Sequence, residues 1–141
     1  MSDEHLVMLL RLVEDGFNTG RFDRLDEIFH PDVVVHAPFP VDPGVEGLRS
    51  GFERIREGFP DSHAEIDDFV DAGDRIYRRW TVTGTHTGTW FGIPPTGRRI
   101  EINGVDIERF EGGLIVEHWT IWDRMVMLEQ LGLAPPMGAG S

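Results

Sequence analysis

Asp106 and His118 lie on either side of residues 111–113, whose sequence Glu-Gly-Gly is the strongest hairpin signal in the chain. If these three residues form the loop, Phe110 faces Leu114 and Asp106 lies directly opposite His118. A carboxylate beside an imidazole orients the ring and raises its pKa, an arrangement suited to proton transfer. The alternative is a polar cross-strand pair on the outer face of a sheet or at a dimer contact.

A shorter hairpin loop changes these partners. With only Gly112 and Gly113 in the loop, Glu108 lies opposite Glu117, and such a like-charge pair is destabilising. We therefore expect the three-residue loop and the Asp106–His118 pair.

Other polar residues have weaker claims to a functional site. His86 ends a predicted strand before a Gly-Pro loop, where it could line the rim of a pocket, and His36 follows three valines into a proline loop. Arg79 could pair with a buried carboxylate or bind a ligand carbonyl. The alternatives are a structural or surface role for each histidine and an outer-face position for Arg79.

Aromatic residues could line a cavity for a flat ligand. Core packing is the simplest interpretation of Trp80. Trp90 and Phe91 lie in a glycine-rich loop, which core packing explains less easily, so we expect them to form a lid over the pocket.

Composition excludes several classes of protein and site. The chain has no cysteine and no metal-binding histidine spacing, so we expect neither disulfides, thiolate chemistry nor a metal site. A net charge of −12, with no lysine and 13 arginines, argues against nucleic-acid binding. No apolar stretch approaches the ~20 residues that cross a membrane, and the N-terminus lacks a secretory pattern. We expect a cytoplasmic protein.

The elements that must position these residues follow from hydrophobic periodicity. Helical spacing predicts helices over residues 3–16, 21–29 and 46–59, with a short closing helix over 124–131. Alternation and β-branched residues predict strands over 32–37, 64–70, 74–86, 98–110 and 114–123. Helices followed by consecutive strands indicate an α+β fold with the helices on one face of a sheet. The length favours one domain over residues 1–134, with a flexible tail over 135–141.

Two stretches resemble the SnoaL-like polyketide cyclase family. They are HTGTWFGIPPTGR at residues 86–98 and GVDIERFEGGLIVEHW at residues 104–119, followed by Asp123 and by LEQLG at 128–132. The resemblance implies the cone-shaped α+β barrel of nuclear-transport-factor-two-like proteins, a superfamily that also includes ketosteroid isomerase, scytalone dehydratase and limonene epoxide hydrolase. Because one fold hosts many reactions, the function must be argued from the site.

The resemblance further implies a cofactor-independent aldol ring closure of a hydrophobic, carbonyl-containing polyketide ester. One aspartate would act as the general base and then as the acid, and the family motif suggests Asp123. The alternative role of Asp123 is to cap the closing helix at Arg124.

Strict alternation divides the candidates between two faces of the predicted hairpin. Asp106 and His118 share one face, whereas Asn103, Trp119 and Asp123 share the other. One pocket cannot contain both sets without a β-bulge. If Asp123 is catalytic, Asn103 and Trp119 join it, with Asn103 donating to a developing oxyanion.

Two other functions remain open. One is a non-catalytic small-molecule-binding or dimerisation module on the same fold. The other is an epoxide hydrolase. The Asp–Arg–Asp set of such an enzyme has its first two members two residues apart on a strand. The long predicted strand has Arg79 and Thr81 at that spacing instead. Whichever function holds, we expect a homodimer or a higher homo-oligomer formed through the open sheet face, because outward apolar residues need cover.

Overall fold

Three helices and a five-stranded sheet make up the described part of the chain, which is residues 2–135 of this computed structural model. Residues 136–141, most of the predicted tail, lie outside that range. The helices are α1 (Ser2–Leu10), which continues as a π-helical segment (Arg11–Phe17), α2 (Gly44–Gly58) and α3 (Arg124–Gln130). The strands are β1 (Phe29–His36), β2 (His63–Asp71), β3 (Arg75–Thr85), β4 (Arg99–Glu111) and β5 (Leu114–Trp122).

The sheet has the strand order β1-β5-β4-β3-β2. Strands β2 to β5 form the predicted antiparallel meander, while β1 joins the free edge of β5 in parallel. The α+β fold class predicted from the element order is therefore confirmed. No helix within residues 2–135 has the length and apolar character to cross a membrane.

One face of the sheet, the inner face, packs against the helices. Along β3, Ile76, Arg78 and Trp80 are buried on this face, whereas Tyr77 and Arg79 between them are exposed on the outer face. Fully burying a large apolar side chain such as Ile76 contributes about 1.5–3 kcal/mol. The alternation along β3 therefore fixes which residues can reach the space beneath the helices.

The helix predicted for residues 21–29 is wrong. Only the single 3-10 turn Leu25–Glu27 is helical, and β1 already begins at Phe29. The N–H of Ile115 donates to the carbonyl of Ile28, and Phe29 pairs with Ile115. The edge of β5 thus draws this segment into the sheet, which overrides the local helical spacing. Pro31, which has no N–H to donate, is tolerated because β1 is an edge strand.

The hairpin register expected from the sequence is also wrong. The loop is the two-residue turn Gly112-Gly113, with φ of 60° and 83°, and Glu111 pairs with Leu114. Positive φ at both central residues suits the tight turns that match the twist of a hairpin.

A β-bulge explains why the expected charge repulsion does not arise. The pairing shifts between Arg109 and Phe110, so that Arg109 rather than Glu108 lies opposite Glu117. Glu108 instead lies opposite His118. The extra residue of the bulge therefore replaces a like-charge pair by two pairs of complementary charge.

Candidate active site

A cavity of about 140 Å³ lies between the inner face of the sheet and the helices, and is open on one side. Its wall is overwhelmingly apolar and includes side chains from the π-helical segment, α2 and all five strands. The polar residues in the wall are Ser62, Arg78, Asp106, His118 and Thr120. Three of them carry ionisable side chains, and these three lie together.

Asp106 is held by two donors from β3. Its Oδ1 accepts from Trp80 Nε1 at 2.8 Å, and its Oδ2 accepts from Arg78 Nη2 at 2.8 Å. Arg78 also donates through Nε to Oε1 of Glu108, two residues along β4 from Asp106. One guanidinium therefore bridges two buried carboxylates and holds both in a fixed orientation.

His118 completes this buried cluster from β5. Its Nε2 lies 3.7 Å from Oδ2 of Asp106, and its Nδ1 lies 3.5 Å from Oε2 of Glu108. Neither separation meets hydrogen-bond geometry, so Nδ1 and Oε2 face each other without a hydrogen-bond partner. Phe29 packs edge-on against the ring at 5.7 Å. The imidazole is thus confined between two carboxylates. We call Arg78, Asp106, Glu108 and His118 the ionic cluster.

Charges within the ionic cluster shift its pKa values. Burial by itself lowers the pKa of His118, but the interactions with Glu108 and Asp106 outweigh it and leave that pKa raised. Burial would raise the pKa of Glu108, but Arg78 and His118 leave it lowered. The carboxylates likewise raise the pKa of Arg78 despite its burial. The ionised forms are therefore mutually stabilised.

Three side chains of the ionic cluster are close enough together to ligate one metal ion. Asp106, Glu108 and His118 each place one ligand atom within 4.8 Å of the others. Arg78, however, donates to both carboxylates, so a fixed cation already neutralises part of their charge. A divalent ion would have to bind beside that guanidinium or displace it. The donor set fits an ion-pair cluster better than a metal site.

Asp123 does not reach the cavity. It is exposed at the start of α3, where its Oδ1 accepts from the backbone N–H groups of Met125 at 2.9 Å and Val126 at 3.2 Å. The expectation that Asp123 lies in the pocket is therefore wrong, and its helix-capping alternative describes the structure. The strand has ended at Trp122, so a side chain at this position serves the helix that follows.

Asn103 and Trp119 were predicted to share the pocket with Asp123, and both lie on the outer face of the sheet. Asn103 Nδ2 donates to the hydroxyl of Thr81 at 2.8 Å, and Trp119 stacks against His36 at 5.2 Å. Their placement in the pocket is wrong, because the strand alternation puts the opposite set, Asp106 and His118, on the inner face.

His36 and Arg79 also lie on the outer face. His36 Nε2 bonds Oε2 of Glu117 at 2.8 Å, and Arg79 Nη2 lies 3.4 Å from Oδ2 of Asp68. Neither borders the cavity, so the pocket positions predicted for them are wrong. The arginine that pairs with buried carboxylates is its neighbour Arg78, since successive side chains of a strand point to opposite faces.

His86 is buried beside the cavity without forming part of its wall. Its Nδ1 lies 3.0 Å from the hydroxyl of Thr96 and accepts from the Thr96 backbone N–H, and its ring stacks on Phe59 at 5.1 Å. Burial lowers its pKa, so the neutral ring is favoured. His86 therefore anchors the loop that carries Trp90, rather than lining the rim.

Trp90 borders the cavity, and Phe91 packs behind it. Trp90 contacts Phe59 and Phe91, while Phe91, at φ 47°, also contacts Phe39 in the cavity wall. The guanidinium of Arg54 lies 5.3 Å from the Phe91 ring. The loop thus covers part of the cavity, and its action as a lid remains a prediction.

Sequence reasoning missed Arg78, Glu108 and the Trp80 donor. The signal was present in β3, where Ile76 and Trp80 lie two residues on either side of Arg78. If those two apolar residues point inward, so does Arg78. The sequence indicates Glu108 only as a source of like-charge repulsion, because the bulge that places His118 opposite it leaves no mark in the sequence.

Comparison with known proteins agrees with this fold. The family model of the SnoaL-like polyketide cyclases matches residues 7–131. Nogalonic acid methyl ester cyclase from Streptomyces nogalater is 30% identical over 123 residues, covering 83% of this chain and 90% of the relative. Aklanonic acid methyl ester cyclase DnrD from Streptomyces peucetius is 25% identical over 136 residues, covering 94% of each.

Solved structures show the same relationship. IdmH from Streptomyces antibioticus is 36% identical, with a TM-score of 0.77, covering 91% of this chain and 98% of that one. TsrD from Streptomyces laurentii is 31% identical, with a TM-score of 0.79 and coverages of 94% and 96%. The match to the family model spans nearly the whole described chain, and the resemblance noted in the sequence is confirmed. The chain belongs to the SnoaL-like polyketide cyclase family.

Proposed function

We propose that this protein is a cofactor-independent cyclase that uses Asp106 as its general base and acid on a hydrophobic, carbonyl-containing substrate. The observation that carries the proposal is the position of Asp106. Its carboxylate lies in the wall of a largely apolar cavity, beside the buried guanidinium of Arg78 and the buried imidazole of His118. A base in such a site has few water molecules to compete with a bound substrate.

The chemistry is an intramolecular aldol ring closure. Asp106 takes a proton from a carbon activated by neighbouring carbonyl groups, and the resulting enolate carbon attacks a second carbonyl of the same molecule. A carbon–carbon bond forms, the attacked C=O becomes an alkoxide, and the proton held by Asp106 passes to that oxygen. No atom is lost, so the product is an isomer of the substrate. Arg78 and His118 supply positive charge beside the developing anion.

The ionic cluster favours an enzyme over a passive binding module. Burying ionised groups is costly, and well-packed apolar residues in their place are often equally stable or more stable. A cavity that only held an apolar ligand would gain little from four such groups. Ionisable groups with shifted pKa values in a cleft are typical of catalytic sites.

An epoxide hydrolase is the less favoured function. Arg78 does bridge two carboxylates, as the carboxylate–arginine–carboxylate set of such an enzyme requires. Epoxide opening needs one carboxyl group for the epoxide oxygen and a second for the attacking water. Only Asp106 of the two borders the cavity. One accessible carboxylate suits a reaction in which a single proton is taken and returned.

The cavity limits what can bind near Asp106. A dry cavity of ~150 Å³ holds a single benzene ring, and the space here is about 140 Å³. We therefore expect the reacting ring to lie inside and the rest of a larger substrate to extend through the open side. The lining offers apolar contact almost everywhere else.

The direct test is turnover of the methyl esters named for the two relatives, nogalonic and aklanonic acid methyl esters. We expect an isomeric product of unchanged mass, and Asp106→Asn should lower the rate about 100-fold or more. Asp123→Asn is the matched control and should stay close to the wild-type rate, because asparagine caps a helix as well as aspartate.

Two outcomes would contradict the proposal. An Asp106→Asn variant with wild-type turnover would remove Asp106 from the chemistry. Saturable quenching of the tryptophan fluorescence by an ester that is never converted would favour the binding-module alternative.

We also propose that the protein forms a homodimer through the outer face of the sheet. Val34 of β1 and Ile121 of β5 are 51% and 55% exposed on this face. Trp119 lies on β5 two residues before Ile121, and its ring is contacted by His36 and by the guanidinium of Arg75. A second copy would cover these apolar groups. The cytoplasmic location predicted from the sequence stays a prediction.

A further inference from the structure

Glu108 lies behind Asp106 in the ionic cluster and does not reach the cavity. Its side chain is 0% exposed and forms no part of the cavity wall. Oε1 accepts from Arg78, and Oε2 faces Nδ1 of His118 at 3.5 Å. A group in this position cannot touch a substrate, so any effect on the reaction must act through its neighbours.

The charges of the ionic cluster determine what Glu108 does to His118. Two ionised carboxylates and one guanidinium leave a net charge of minus one if the ring is neutral, and zero if the ring is protonated. The charged groups facing the ring are Asp106 and Glu108 from β4 and Arg78 from β3, while β1 contributes the apolar ring of Phe29. An unmatched charge is costly in a buried site. The balance therefore favours the imidazolium.

We propose that Glu108 is a positioning residue, which holds His118 as an imidazolium with its Nε2–H directed at Asp106. This inference rests on the proposed function, because it concerns how the base Asp106 is supported. Arg78 completes the arrangement by holding both carboxylates in place. The two ring nitrogens thus have different partners, with Nδ1 toward the buried Glu108 and Nε2 toward the cavity-lining Asp106.

The arrangement has a consequence for the aldol reaction. When Asp106 takes the carbon proton, its charge is neutralised and the ionic cluster gains a net positive charge beside the enolate. The proton then leaves Asp106 for the alkoxide, which restores the starting charges. Without Glu108, loss of the Nδ1 proton becomes favoured and His118 is neutral. Arg78 is then the one remaining cation of the ionic cluster beside the enolate.

The experiment is NMR of the histidine ring nitrogens in ¹⁵N-labelled full-length protein, assigned with His118→Gln. At pH 7 the wild type should show both nitrogens of His118 protonated. Glu108→Gln, which keeps the shape of the side chain, should lower the titration midpoint by about one unit or more, as expected when a close opposite charge is removed.

Glu117→Gln is the matched control. Glu117 precedes His118 on β5, but its carboxylate lies on the outer face, where it contacts His36 and Arg109. Removing that charge should leave the His118 titration unchanged. If Glu108→Gln does not fold, the wild-type spectrum decides alone, and a neutral His118 at pH 7 would overturn the inference.

Turnover of the methyl esters separates this inference from the proposed function. The pH profile of kcat should shift to lower pH in Glu108→Gln, where His118 protonates again, with KM little changed. If Asp106→Asn is inactive but the Glu108→Gln profile matches wild type, only the positioning role fails. If Asp106→Asn is fully active, the proposed function fails whatever the state of His118.

Discussion

At the scale of the residue, Asp106 and Asp123 show how surroundings assign different roles to the same carboxyl group. Asp106 is buried, accepts from Trp80 and Arg78, and borders an apolar cavity. Asp123 is exposed and accepts from two backbone N–H groups of α3. The first arrangement supports proton exchange with a bound molecule, whereas the second stabilises a helix end.

The raised pKa of His118 makes the folded protein pH-sensitive in a defined direction. A basic group whose pKa is higher in the folded state stabilises that state below its unfolded pKa, here 6.5. That stability is lost as the pH rises through the folded value. We expect the free energy of unfolding of wild type, relative to His118→Gln, to be larger at pH 6 than at pH 9.

Urea denaturation of both proteins at several pH values measures this difference. The lowered pKa of His86 acts in the opposite direction, but it is present in both proteins and cancels. Working above pH 5.5 also keeps Glu108, whose pKa is lowered, ionised throughout. Parallel curves for the two proteins would show that His118 is not held as the charged form.

At the scale of the element, the β4–β5 hairpin decides which residues meet. The two-residue Gly112-Gly113 turn sets the pairing near the loop, and the bulge then shifts it by one residue. A one-residue shift changes every cross-strand partner beyond it. This places His118 opposite Glu108 while its Nε2 still lies 3.7 Å from Asp106.

Helix α3 depends on its cap at Asp123. The side chain accepts from the N–H groups of Met125 and Val126, which have no partner earlier in the helix. We expect Asp123→Ala to lower the free energy of unfolding by about 1 kcal/mol, and Asp123→Asn to leave it nearly unchanged. Urea denaturation checks this. An equal loss in both variants would mean that the cap is not what stabilises α3 at this position.

At the scale of the whole molecule, one sheet serves two purposes. Its inner face carries the ionic cluster and the cavity, and its outer face carries exposed apolar residues alongside the His36–Glu117–Arg109 ion pairs. The site lies on the inner face, so pairing of two copies through the outer face leaves the cavity free.

The proposed homodimer predicts the effect of a charge placed on the outer face. Ile121→Glu should convert the dimer to a monomer, because a buried unpaired carboxylate is costly at an interface. Sedimentation analysis gives the mass directly. Val7→Glu is the control, since Val7 is 45% exposed but lies on α1. A wild-type monomer, or equal dissociation by both variants, would contradict an interface on the outer face.

The fold class and the β2–β5 meander could be predicted from the sequence, because hydrophobic periodicity and glycine turns are local properties. The start of β1 at Phe29 could not, since it depends on pairing with Ile115 of β5. The family resemblance was also readable, from the stretches at 86–98 and 104–119.

The site could be predicted only in part. Asp106 and His118 were expected on one face from a register that is wrong, and they share that face only through the bulge. What the sequence by itself determined is that Asp106 and Glu108 share one face of β4, because side chains alternate along a strand. Only the tertiary structure decided that this face is the inner one, that Arg78 bridges both carboxylates and that Asp123 caps a helix. Which face is covered depends on where the helices pack, and a bulge changes partners without changing the pattern of residue types. Both are long-range effects that no local sequence signal encodes.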